Sequence, residues 1–104
     1  MAILTEEEFS KHIGTEFRAD FGEHKINLKL TEVKSYMRDE SLERNMERFS
    51  LFFSGPPDLT FSQQSVHLQH DSMGEIEIFL VPISSDANGF CYEAIFNYFK
   101  KSDE

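Results

Sequence analysis

From Val66 to Tyr98, apolar and polar residues alternate in three successive runs, and this period of two predicts three antiparallel strands. The runs are Val66–His70, Glu75–Val81 and Phe90–Tyr98. Their connectors, Asp71-Ser72-Met73-Gly74 and Asp86-Ala87-Asn88-Gly89, share one design. An Asp carboxylate at the first place accepts backbone N–H groups, and Gly at the fourth takes the positive φ that realigns the strands.

Upstream, the pattern changes period. Thr5 to Ile13 predicts a short helix, with Thr5 and Glu8 as a capping box and Leu4 and Phe9 as the staple around it. Glu6, Glu7 and Glu8 suit the positive end of the helix dipole, Phe9 and Ile13 share a face, and Gly14 ends the element. Thr15 to Phe21 alternates as a strand, and Phe21-Gly22-Glu23-His24 turns the chain. Lys25 to Met37 is a long strand whose inward set slips from Ile26, Leu28 and Leu30 to Val33, Ser35 and Met37. A bulge near Thr31-Glu32 restores the facing. Arg38 to Arg48 reads as a mixed-charge connector with one helical turn. Phe49 to Phe53 is a strand with Phe52 on its second face, so both faces are partly covered there. Gly55-Pro56-Pro57 stops that strand, and Pro82 is expected to end the fifth.

These elements predict a mainly β fold: about six antiparallel strands in a small barrel or a two-sheet roll, behind one N-terminal helix. A length of 104 residues suits a single domain, 1–104. The 11 Phe, with no Trp, supply much of its core.

A net charge of −9 argues against nucleic acid and anionic membrane as partners. The charge is also unevenly placed. From Phe49 to Phe99 there are six acidic residues and no Lys or Arg. One cysteine, Cys91, fits a reducing compartment, and the opening residues lack the basic start and apolar run of a signal peptide. The expected location is therefore the cytoplasm.

Candidate chemistry is sparse. His67 and His70 sit three apart on a strand, which points them to opposite faces, and His12 and His24 lack zinc-site spacing. Cys91 with His70 is the one conceivable thiol–imidazole pair, and no cation neighbours Cys91 in sequence to activate it. Asp71, Glu75 and Glu77 lack the alternating loop signature of a calcium site. No phosphate loop or nucleophile elbow is present. The reading is that the chain is not an enzyme and takes no metal or cofactor.

Several stretches together resemble a family of small bacterial domains of unknown function. They are Gly14-Thr15-Glu16-Phe17, Phe49-Ser50-Leu51-Phe52-Phe53-Ser54-Gly55-Pro56, His70-Asp71-Ser72-Met73-Gly74-Glu75, Phe79-Leu80-Val81-Pro82 and Tyr92-Glu93-Ala94-Ile95-Phe96-Asn97. The resemblance implies an accessory role beside phage-tail-collar-like proteins and brings no functional residues with it. The expected function is a non-enzymatic protein-interaction module. Its partner surface would comprise Asp71, Glu75, Glu77 and Glu93 together with any exposed Phe or Tyr, with a strand edge as a route to a homo-oligomer. The alternative is a small barrel that holds an apolar ligand among its aromatic rings.

Overall fold

The computed structural model describes residues 4–36 and 46–99. Its elements run α1 (Glu6–Ser10), β1 (Glu16–Asp20), β2 (Lys25–Ser35), β3 (Met46–Gly55), β4 (Gln64–His70), β5 (Gly74–Asp86) and β6 (Gly89–Phe99). Every strand pairing is antiparallel, and the order β1-β2-β3-β6-β5-β4 closes on itself where β1 meets β4. The open choice between barrel and roll is thus decided for a ring. No helix among the described residues is long and apolar enough to cross a membrane.

Alternation carries the core, as period two requires. Phe17 and Ala19 of β1, Ile26, Leu28 and Leu30 of β2, and Phe49, Leu51 and Phe53 of β3 all turn inward and are buried. So are Val66 and Leu68 of β4, Ile76, Ile78 and Leu80 of β5, and Tyr92 and Ala94 of β6. Aromatic edges hold the layers together: Phe17 and Phe53 meet T-shaped at 5.5 Å, and Phe49 stacks on Phe96 at 4.7 Å.

Two strands make the corners by serving two neighbours each. β2 pairs with β1 as far as Lys29 and then with β3, and its register shifts between Leu30 and Glu32, where the slip in parity predicts a bulge. β5 pairs with β4 from Gly74 to Leu80 and with β6 from Val81 to Asp86, shifting between Pro82 and Ser84. Pro82 therefore does not end the strand. A proline is tolerated at a bulge because no ladder N–H is needed there, and β5 runs on to Asp86.

Each mouth of the ring is stoppered. At one, α1 presses Phe9 against Phe17, Phe49 and Phe96. At the other, Phe61 stacks on Tyr92 at 4.4 Å and touches Phe21, while the Tyr92 hydroxyl meets Thr60 Oγ1 at 3.0 Å. Thr5 caps α1 by accepting from the Glu8 N–H at 3.1 Å. The Glu8 carboxylate, expected to complete the box, lies 3.4 Å from both Lys11 Nζ and His12 Nε2. Since α1 ends at Ser10, Ile13 falls past it and is exposed, not on the Phe9 face. The connector expected from Arg38 lies outside the described residues up to position 45, and β3 already begins at Met46.

The two Asp-x-x-Gly turns differ. Asp86 accepts from the N–H groups of Asn88 and Gly89, as its position predicts. In the other turn the imidazole of His70 takes that role, accepting from Ser72 and Met73, and Asp71 turns to Arg18. A buried ring at the strand end reaches the turn N–H groups from inside, leaving the carboxylate to the surface.

Candidate functional site

The outer faces of β5 and β6 collect the features the sequence singles out. Glu75 and Glu77 alternate with the buried Ile76 and Ile78, so both project outward. Glu75 lies 3.4 Å from His67 Nε2 on β4, and Glu77 stands opposite His67 in the ladder. Next along the same face come Phe79, 51 % exposed, and Val81. Val81 pairs with Glu93, the last pairing between β5 and β6, and Ile95, 68 % exposed, lies two residues further along the outer face of β6. Phe79 thus follows Glu77 on β5, and Ile95 follows Glu93 on β6.

Glu93 is only half-exposed. Its carboxylate accepts from the Ser50 hydroxyl at 2.7 Å, and Ser50 is fully buried although it sits on the outer face of β3. Phe52, half-buried beside it, bears out the expected cover on both faces of that strand. Asp71 stands apart from the row: its carboxylate meets Arg18 Nη2 at 3.3 Å. The acidic row is therefore Glu75, Glu77 and Glu93. Phe79 and Ile95 escape sequence reading because an alternating strand does not say which outward positions neighbours will cover.

A second cluster joins α1 to β4. The rings of His12 and His70 meet edge-on at 4.7 Å, and Phe17 covers His70 at 4.2 Å. Thr15 Oγ1 donates to the His12 carbonyl at 2.6 Å, so it accepts from His70 Nε2 at 2.9 Å. With Nδ1 accepting two backbone N–H groups, His70 is the neutral Nε2–H tautomer. Burial holds its pKa below the usual value, His12 and Arg18 push the same way, and Asp71 opposes them. Both ring nitrogens are occupied, and Thr15 spends its proton on a carbonyl. The arrangement locks structure and has no lone pair to serve as a base.

Cys91 is not brought to His70. It pairs with Ser84 near one end of β5, whereas His70 pairs with Gly74 at the other, a path of roughly 30 Å along the strand. Burial raises the Cys91 pKa, the Ser84 hydrogen bond opposes that shift, and Glu93, Glu32 and Asp86 add to it. The thiol lines a shallow groove of about 290 Å³ with Ser54, Ser84, Asp86 and Asn88. A larger open groove of about 500 Å³ runs beside Lys25, Asn27, Lys29, Gly55 and Asp58. Among the described residues, no three His, Cys, Asp or Glu side chains are grouped to hold a metal ion.

No curated protein and no solved structure matches the chain. One family model matches residues 4–96, a span that takes in α1, β1 to β5 and β6 as far as Phe96. On that match the chain belongs to the family described as a domain of unknown function, DUF6916.

Proposed function

We propose that the domain is a non-enzymatic interaction module that docks a protein partner on the outer face of β5 and β6. The observation that carries this reading is the exposure of Phe79 and Ile95, both more than half open to solvent, on strands that also carry Glu75, Glu77 and Glu93. Apolar anchors that exclude water, ringed by charge, are how protein interfaces concentrate their affinity. The partner's matching surface is apolar and basic, because Glu75, Glu77 and Glu93 face it and neither β5 nor β6 contains Lys or Arg. The resemblance seen in the sequence adds a setting, an accessory to phage-tail-collar-like proteins in the bacterial cytoplasm. The apolar-ligand alternative draws less support, since Phe17, Leu28, Leu30, Leu51, Phe53 and Tyr92 fill inward positions with their own atoms.

A random peptide library displayed on phage and selected on the immobilised domain tests this. Enrichment of sequences with Lys or Arg beside aliphatic residues, lost on a Phe79→Ser/Ile95→Ser variant of unchanged melting temperature, supports the proposal. No enrichment, or enrichment that the variant retains, overturns it.

A further inference from the structure

At the corner where β5 changes partners, β5 and β6 each leave a stretch of strand edge unpaired among the described residues. Ladder pairing between β5 and β6 stops at Val81 and Glu93. Beyond it, β6 continues through Ala94–Asn97 with β3 on one side only, and β5 continues through Gly74–Leu80 with β4 on one side only. Among the described residues nothing else pairs with either edge. The change of partner in β5 lies next to the register shift between Pro82 and Ser84, an irregularity of the kind that bends a strand. The corner is closed from within, where Phe9 of α1 reaches Phe96 at 5.7 Å and Ile76, Ile78 and Leu80 complete the core. Its outer side is therefore a slot of backbone groups over a finished interior.

In each edge, every second residue turns its N–H and C=O away from the neighbour it already has. Such edges are commonly blunted by charge or proline, yet Ala94, Ile95, Phe96 and Asn97 carry neither. The side chains beside the slot are Ile95 and Phe79, then Glu77, Glu75 and Glu93. We infer that the partner enters as an extended segment, hydrogen-bonded as an added strand to the edge of β6 from Ala94 to Asn97. Its outward side chains are aliphatic residues that cover Ile95 and Phe79, together with Lys or Arg that meet the three glutamates. Strand addition takes affinity from the backbone and selectivity from alternate side chains. A second copy of this chain fits less well, because its matching face presents the same glutamates. This inference rests on the docking face proposed above and adds the conformation and chemistry of what docks there.

The test uses the ¹⁵N-labelled domain and three probes. The first is an acetylated, amidated heptapeptide, Lys-Thr-Val-Thr-Val-Thr-Lys, whose Lys and Val share one strand face. The second is its pair of isomers N-methylated at three alternate residues, one isomer for each edge. The third is a helical peptide of the same charge. The inference expects the parent peptide to shift the amide resonances of residues 94–97 and slow their exchange with solvent. One methylated isomer should then bind about ten-fold or more weakly, since it loses backbone donors. If both isomers and the helical peptide shift the Phe79 and Ile95 resonances as well as the parent does, strand addition is overturned and face docking stands. If no probe shifts either set, or shifts map to another face, both readings fail.

Discussion

His70 and Thr15, 55 residues apart in sequence, share a 2.9 Å hydrogen bond between imidazole Nε2 and hydroxyl. The bond ties the entry of β1 to the exit of β4, the two strands whose pairing closes the ring. Nε2 donates in this bond while Nδ1 accepts from the turn, a combination that only the neutral imidazole offers, and pH can therefore test it.

The pH prediction follows from that tautomer. Protonating His70 would place an N–H against the N–H groups of Ser72 and Met73, with His12 and Arg18 adding positive charge nearby and Asp71 opposing them. Its folded pKa is lowered, so the unfolded chain binds the proton more readily. Stability is complete above the unfolded value of 6.5 and is lost as pH falls through the folded value. Urea midpoints from neutral to mildly acidic pH should decline in wild type. They should decline less in His70→Asn, whose amide oxygen can accept the same turn N–H groups. Equal slopes would contradict the assignment. His70→Ala should lose about 2–3 kcal/mol at neutral pH, from a cavity and two unanswered donors.

Glycine demand separates two positions. Gly89 has φ +144°, and a Cβ there would lie 1.9 Å from the Gly55 carbonyl oxygen. Gly22 has φ +89° with open space around it. Gly22→Ala should lose only about 1 kcal/mol, from backbone strain. Gly89→Ala should lose at least twice that, about 2 kcal/mol or more, because β3 must also move. Chemical denaturation of the two variants checks the ranking.

Interior and exterior phenylalanines should behave oppositely. Phe53→Ala removes a fully buried ring in edge contact with Phe17 and should destabilise by about 3–5 kcal/mol. Phe79→Ser, on the outer face, should change stability by no more than about 0.5 kcal/mol. A large loss at Phe79 in thermal melts would mean that the ring supports the fold and is no docking anchor.

The thiol of Cys91 should be sluggish. Burial and three nearby carboxylates raise its pKa, so little thiolate is present near neutral pH. Alkylation by iodoacetamide should be slower than for an unstructured cysteine peptide and should recover when urea unfolds the domain. Native reactivity above that of the peptide would reopen a nucleophilic role.

Local physics written along the chain determined much of the architecture. Strict alternation named the inward residues of the strands, because side chains on a pleated strand must point to opposite sides. The parity slip after Leu30 located the bulge in β2, and Thr5 located the start of α1, since both are decided by immediate neighbours. Pairings across long separations, β1 with β4 and β3 with β6, were settled only when the sheet closed. Closure also decided that Pro82 would bend β5 rather than end it, and that His70 rather than Asp71 would hold its turn. The docking face is of this second kind. Glu75, Glu77 and Glu93 are visible in the sequence as outward acids, but the exposure of Phe79 and Ile95 depends on which outward positions the assembled ring leaves uncovered. Alternation specifies which face of a strand a residue takes, and only the assembled ring specifies what lies against that face.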